Sequence, residues 1–534
     1  MEERYIASVD LGTSKLAVCV ARVLNQDVQV IYYKESPSEG IRYSYVNNPG
    51  KVENALRKAL SQAQQELKIK IQQVIVGLPR YYVRQESASA SMARTEPDSQ
   101  IGDNEVKTLK SMALETYPLG DSKNEVIFGA VAQSFSTEDS LNELENDIVG
   151  MTAEKLEGNF KVFIGSRRYS TNIDNVFNSM GIAIAKKYFT PGITARAVLK
   201  EEQMENGVAL IDIGAGVSSV TIFKGKIMRY YAAIPFGGNS ITNDIKSECN
   251  FSFQLAENIK KAYGACMPNK LSALGEKSIQ IVDENGVPTA QVPVKYISEI
   301  ITARMREIIE ALLYHIQASG YAAEDILRAG VVVTGGGSEL VNCVNYVKEL
   351  SGYSVKAGLP RRFFSCEGCP EAAEASAATS MGMIMAAKSD RMLNCIKEPP
   401  ARRYWTAPKI ETPVDSEPAS MEGVVTPEIV ETEPEPVIET VNAPIEPEVP
   451  SIEQAVMATQ DGGDTLFEGP TQEEIDAYNN DKRSKKGKNP KPPKAPKPPK
   501  EPRPRPQFTW LKHIQSSINE GMGKLFESME NEDV

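Results

Sequence analysis

IASVDLGTSKLAVCVARV, residues 6–23, and GVALIDIGAGVSSVTIFKG, residues 207–225, decide the fold. Each is a short apolar run, a D-x-G turn and a second apolar run, which reads as two strands around a tight turn. The two turn aspartates, Asp10 and Asp212, stand 202 residues apart. One hairpin used twice at that separation suggests two similar lobes facing each other across a cleft. Strand-like and helix-like patterns alternate on either side to about residue 390, so the class is α/β. Residues 48–68 and 295–320 have helical periodicity, and AGVVVTGGGSEL, residues 329–340, is a buried strand entering a glycine-rich turn.

Each hairpin turn makes sense as half of a phosphate clamp. Gly12, Gly214 and Gly216 let the backbone turn sharply and approach a ligand, and exposed N–H groups in such turns cradle anions. Thr13, Ser14, Ser218 and Ser219 can add hydroxyl donors, and Lys15 can set a positive charge on the phosphates. Asp10 and Asp212 sit at strand ends, where carboxylates hold a hydrated Mg²⁺ or orient a water for attack on a γ-phosphate. The bland reading of either turn alone is a plain hairpin. The third piece, Gly335-Gly336-Gly337-Ser338, lets a base or ribose lie against bare backbone. It lacks G-x-G-x-x-G spacing, which disfavours a dinucleotide fold.

The order D-L-G-T, D-I-G-x-G, T-G-G-G resembles the phosphate-1, phosphate-2 and adenosine motifs of the actin, sugar-kinase and Hsp70 superfamily. Within it the chain is most similar to the FtsA family of bacterial cell-division proteins. The residues that carry this are DLGTSKLAV at 10–18, NDIVGMTAEKLEG at 146–158, GVALIDIGAG at 207–216, IPFGGNSITNDI at 234–245, LAENIKKAYG at 255–264 and VVVTGGGSEL at 331–340. The resemblance covers about residues 4–390 and the terminal helix. It implies an actin-like two-lobed ATPase fold that binds ATP and Mg²⁺. It adds Gly237 and Gly238 to the nucleotide site, with Gly335, Gly336 and Ser338. It also gives Glu257 and Lys260 a contact with the nucleoside; their structural alternative is an i,i+3 ion pair on a solvated helix face. The family's second loop usually reads G-G-G-T, whereas this chain has Gly214-Ala215-Gly216-Val217. Val217 has no hydroxyl to offer, so ATP binding is expected more firmly than rapid turnover, with Asp10 and Asp212 the catalytic candidates.

The domain reading is lobe 1 at 1–80, an inserted subdomain of the FtsA-type 1C kind at 81–170, the return of lobe 1 at 171–205, and lobe 2 at 206–390. An acidic Pro-rich linker follows at 391–481, then a polybasic Pro-rich spacer at 482–505 and an amphipathic helix at 506–534. The net charge of −12 hides this pattern. Residues 410–481 hold 19 Asp/Glu and no Lys/Arg, 482–505 hold 11 Lys/Arg and one acid, and residues 1–409 balance to zero. The acidic stretch cannot bury enough surface to offset its ordering entropy, and the basic one favours polyproline II.

In the last segment Phe508, Leu511, Ile514, Ile518, Met522, Leu525, Phe526 and Met529 recur at steps of 3 and 4, with Trp510 bordering that face. No core is available after so long a linker, so an anionic membrane surface fits the stripe, and the basic spacer adds attraction to acidic lipid. A groove on a partner protein is the rival. Nucleic-acid binding by the spacer is disfavoured, because no aromatics interleave it for stacking.

No run reaches the roughly 18 apolar residues of a spanning helix, and MEERYIASVDLG has no secretory character. The expected place is the cytoplasmic side of the inner membrane, peripheral, at the division site. Seven scattered cysteines fit a reduced compartment. Cys366 and Cys369 form one C-x-x-C pair, but zinc usually needs a second pair or histidines; the only histidines are His315 and His513.

The resemblance implies a scaffold that polymerises head to tail. Its partners are an FtsZ-type tubulin-like protein docked around 250–330, and other division proteins at the 1C-type insert. A superfamily kinase or phosphatase would need an acid–base constellation that no motif supplies. An actin-like pilus-assembly scaffold usually finds the membrane through a partner. An Hsp70-like chaperone would need a β-rich domain after residue 390.

Overall fold

The computed structural model describes residues 3–396 apart from 26, 283–286, 324 and 361–363. The amphipathic stretch, the basic spacer and nearly all of the acidic linker lie outside the described residues.

The first lobe opens with β1 (Glu3–Leu11) and β2 (Lys15–Leu24), antiparallel from Glu3 opposite Leu24 to Leu11 opposite Leu16. β3 (Asp27–Pro37) continues the sheet, and a two-residue-strand hairpin follows, β4 (Ile41–Arg42) with β5 (Tyr45–Val46). α1 (Pro49–Leu67) starts where Asn48 Oδ1 accepts the Lys51 N–H (3.2 Å) and proline holds the first helical position. It packs on β2 and β3 through Val52, Leu56, Ala59, Leu60 and Ala63, spaced by 3 and 4. β6 (Gln73–Leu78) then pairs in parallel with β1.

The chain next leaves the lobe. β7 (Arg84–Ala93), α2 (Asp103–Glu115), β8 (Glu125–Ser136), α3 (Glu145–Ile148) and β9 (Lys155–Ser166) build a small sheet in the order β7-β9-β8. This insert has its own core, with Leu109, Phe135, Ile148, Leu156 and Phe160 at its centre. Arg94 is its main polar anchor. Its side chain is 1% exposed; Nε donates to Glu105 Oε1 (2.8 Å), and Nη1 donates to the carbonyls of Ala153 (2.9 Å) and Pro97 (3.2 Å). Arg94→Ala strands a carboxylate and two carbonyls, at a cost of about 2 kcal/mol. Urea unfolding followed by hydrogen exchange should place that loss in residues 84–166.

α4 (Arg167–Ser179), β10 (Ala183–Phe189) and α5 (Thr190–Val198) return to lobe 1, where β10 pairs in parallel with β6. α6 (Glu201–Asn206) ends at Gly207, whose φ of +97 turns the chain into lobe 2. That lobe repeats the opening move: β11 (Val208–Ile213) and β12 (Ser218–Lys224) form the second hairpin, extended by β13 (Ile227–Ile234). α7 (Gly238–Cys249), α8 (Phe253–Tyr263), the ribbon of β14 (Ser278–Val282) and β15 (Pro288–Pro293), and α9 (Val294–Ala318) follow. α9 buries Ile297, Ile301, Met305, Ile308, Leu312 and Ile316 against α7, β12 and β13. β16 (Val331–Thr334) pairs in parallel with β11; α10 (Cys343–Ser351) and β17 (Val355–Ala357) complete the sheet β13-β12-β11-β16-β17.

Lobe 2 ends there, and not near residue 390 as the sequence pattern suggests. β18 (Ser365–Cys366) already belongs to the lobe 1 sheet, in parallel with β3, to give β10-β6-β1-β2-β3-β18. α11 (Ala378–Ala387) packs on α5 and on β1, β2 and β6. It is buried on every side, so no amphipathic stripe in the sequence marks which lobe it serves. The boundary set at 390 also falls short. Leu393, Cys395 and Ile396 are core residues, and the Cys395 N–H donates to the Tyr5 carbonyl (2.7 Å).

Candidate functional site

The two hairpin turns meet. Both follow strands buried on both faces, as expected of sheets covered on two sides, so the turns are the first places where the backbone escapes the core. At Gly216 there is no room for a side chain: a Cβ would lie 2.7 Å from Thr13 Oγ1 and 2.8 Å from Thr13 Cγ2. Thr13 Oγ1 in turn accepts the Ser44 N–H (3.1 Å) from the β4–β5 hairpin. The N–H groups of Thr13, Ser14, Ala215 and Gly216 have no acceptor among the described residues, which leaves four backbone donors at the meeting of the two turns. Such a nest fits a polyphosphate.

Asp10 and Asp212 close the ends of β1 and β11, and a residue the sequence reading passed over stands with them. Arg80, just after β6, donates through Nη1 to Asp212 Oδ2, and its own carbonyl accepts the Tyr231 hydroxyl. Burial works against the guanidinium charge, but Asp212 and then Asp10 outweigh it and hold Arg80 protonated more firmly than usual. Burial pushes the Asp10 carboxyl up; Arg80 and Lys15 pull the other way, and Asp212 adds to the rise. Two carboxylates around one buried guanidinium leave one negative charge over, and a divalent cation fits that excess. Arg80 sits in LPRYY, which carries no pattern. Only the fold brings it 132 residues along the chain to Asp212.

The register sorts the two serines. Asp212 lies opposite Ser219, and Ile213 opposite Ser218. Cross-strand partners share a face, so the hydroxyl beside Asp212 belongs to Ser219. Ser218 lies among apolar neighbours, Ile213 and Ile234; it is fully buried, and its Oγ has no hydrogen-bond partner among the described residues. Val217 is 1% exposed and contributes its carbonyl, which accepts the Gly214 N–H (3.0 Å). Lys15 is ion-paired to Glu35, and Ser14 is exposed on the turn.

Gly237 and Gly238 back the second turn. The Gly238 and Asn239 N–H groups donate to the carbonyls of Gly214 (2.9 Å) and Ala215 (2.8 Å), and a Cβ at Gly237 would strike the Gly214 carbonyl. Glu257 and Lys260 on α8 do form the i,i+3 pair, but the face is not solvated: their side chains are 14% and 11% exposed. Lys260 Nζ donates to Glu257 Oε2 (2.6 Å), Thr242 Oγ1 (2.8 Å) and the Gly238 carbonyl (3.0 Å). Burial alone would lift the Glu257 carboxyl, but Lys260 and Thr242 more than offset it; burial lowers Lys260. The pair thus positions the Gly237–Gly238 turn, which positions the loop at 214–216. Thr242, its third member, is inside α7 and has no sequence signal.

The glycine turn after β16 reaches the same place. Gly335 has φ +85, and a Cβ there would lie 2.4 Å from Asp212 Oδ1. Gly336 begins a 3-10 turn (Gly336–Glu339), and Ser338 Oγ donates back to the Gly335 carbonyl (2.7 Å). Asp10, Gly12, Thr13, Asp212, Gly214, Gly216 and Gly335 are therefore brought together, with Gly237, Gly238, Glu257 and Lys260 behind them.

Two lobes that each open on this hairpin and share one site define an actin-like protein. The solved PilM–PilN type IV pilus biogenesis complex has the same fold, at a TM-score of 0.50 and 13% identity, over 72% of this chain and 98% of that one. Within the class, a family model described as Cell division protein FtsA matches residues 209–382. Cell division protein FtsA of Neisseria meningitidis serogroup B is 28% identical over 363 residues, covering 67% of this chain and 85% of its own. That of Pseudomonas aeruginosa is 26% identical over 384 residues, covering 72% and 89%. In sequence the chain is thus similar to the FtsA cell-division proteins, on an actin-like fold.

Proposed function

We propose that this chain is an ATP-binding scaffold of cell division that polymerises head to tail and tethers an FtsZ-type ring to the inner face of the membrane. The observation that carries the nucleotide part is the meeting of the two turns at Thr13 and Gly216, with four free N–H donors. A polyphosphate there is held by both lobes at once, so binding couples their relative position. Asp10 and Asp212 would hold Mg²⁺ through water, and the cation supplies charge neutralisation at the phosphates. Turnover is slow in this reading, because Val217 is buried where a hydroxyl residue is usual. The insert built on β7–β9 is the contact module for neighbouring protomers and other division proteins. The stretch 506–534 is the peripheral membrane anchor.

Co-sedimentation with anionic liposomes tests this, with and without Mg-ATP, for the full chain and a version ending at Arg505. The full chain should pellet with lipid, more so with Mg-ATP, because many weak anchors on one filament act together. The shortened chain should stay in the supernatant in both conditions. Lipid binding by the shortened chain would move the anchor elsewhere, and no lipid binding by either would turn the terminal stripe into a docking element for a protein.

A further inference from the structure

The chain crosses back from lobe 2 to lobe 1 between β17 and β18, and its first foothold in lobe 1 is a cysteine pair. β18 lies in parallel along β3, with Cys366 opposite Val30. The Val30 carbonyl then accepts twice, from the Glu367 N–H (3.0 Å) and from the Cys369 thiol (3.6 Å). Between the cysteines the chain bends through Gly368 at φ +74, where open space surrounds the α-carbon. Both ends of the bend thus gather at one residue: Cys366 faces Val30 in the register, and the Cys369 thiol bonds to the Val30 carbonyl. A four-residue bend with a left-handed glycine at its third position brings the end residues within the Cα separation a disulfide spans.

Accessibility singles out the pair. Of the seven cysteines, all free, Cys366 alone is exposed; Cys249 is half-buried and the other five are buried. Cys369 is 4% exposed, so an attacking reagent meets Cys366 first and Cys369 lies behind it. Burial lifts both thiols, Cys369 to about 11 with Cys366 adding to the rise, so exposure and not acidity sets the order of attack and the exchange is slow at neutral pH.

We propose that Cys366 and Cys369 are a reversible dithiol–disulfide site that takes small-molecule disulfides as its oxidant. The Cys366 thiolate attacks one sulfur of the small disulfide, forms a mixed disulfide and expels one thiolate. Cys369 then gives its proton to solvent and attacks Cys366 Sγ, closing the protein disulfide and expelling the second thiolate. Two protein thiols are oxidised and one small disulfide is reduced to two thiols. Closure removes the Cys369 S–H donor from the Val30 carbonyl and stiffens the bend at the foot of the lobe crossing. Chains of a reduced compartment use such pairs transiently and not as structural staples.

The full chain, incubated with oxidised glutathione, unfolded under acid quench and titrated for free thiols, tests this independently of nucleotide or membrane. The count should fall from seven to five. Peptide mass spectrometry should find Cys366 joined to Cys369, and dithiothreitol should restore seven. Cys369→Ser should stop at a glutathione adduct on Cys366, and Cys366→Ser should hold its six remaining thiols throughout. A count that stays at seven, a wild-type chain that stops at the adduct, or a link that forms elsewhere would overturn the proposal.

Discussion

Arg80→Ala should destabilise the folded unit by about 3 kcal/mol, the toll of removing one partner from a largely buried ion pair. The Arg80 and Asp212 side chains are 18% and 10% exposed, so solvent takes over little of the lost charge. Two carboxylates, Asp10 and Asp212, would then face each other with no cation between them. The Asp10 carboxyl, already raised by burial, rises further. A raised carboxyl favours the folded state below its titration and loses that advantage as the pH climbs through it. The variant should therefore recover stability as the pH falls. It should also gain more from Mg-ATP than the native chain does, since the metal replaces the missing charge. Urea unfolding with and without Mg-ATP reads both effects, and Arg80→Gln, which keeps donors without charge, should not rescue. A native unfolding midpoint in Arg80→Ala would mean the guanidinium is dispensable to the cluster.

Gly216→Val acts on binding more than on folding. Its Cβ would start 2.7 Å from Thr13 Oγ1, and the second branch has nowhere to turn. Thr13 cannot yield cheaply, because its hydroxyl holds the Ser44 N–H. The two turns must part, and the donors that faced one ligand no longer converge. ATP affinity should fall at least ~100-fold, roughly 2.7 kcal/mol, measured by calorimetry. Thermal stability should drop little, since the turn lies outside the main cores. Unchanged affinity would place the phosphates somewhere other than between these turns.

The sequence reading reached the hairpins because a buried run, an aspartate and a glycine form a local signature. The register of β11 against β12 explains why it could not separate Ser218 from Ser219: one residue of slip exchanges faces. Arg80 and Thr242 were illegible for a different reason. Their partners lie 132 and 15 residues away, and nothing in LPRYY or NSITND announces them. Glu257 and Lys260 were legible as a pair, but their burial was not, because helix spacing alone does not tell which neighbour covers a face. The return of the chain to lobe 1 hid behind a two-residue strand and a helix apolar on all sides.

The last described residues give the molecule a load path. Cys395 is stitched to both neighbours of its strand position, donating to Tyr5 O and accepting from the Gln72 N–H (2.9 Å), while Arg4 ties Lys388 and Asp390 to β1. Tension applied through the chain beyond Ile396 is therefore shared between the segment leading into β6, where Ile71 bridges Ile396, and β1. That strand ends, a few residues on, at Asp10 and Gly12. A pull on that end would therefore load the strand that carries Asp10 to the meeting of the two turns, together with its parallel partner β6, which leads to Arg80.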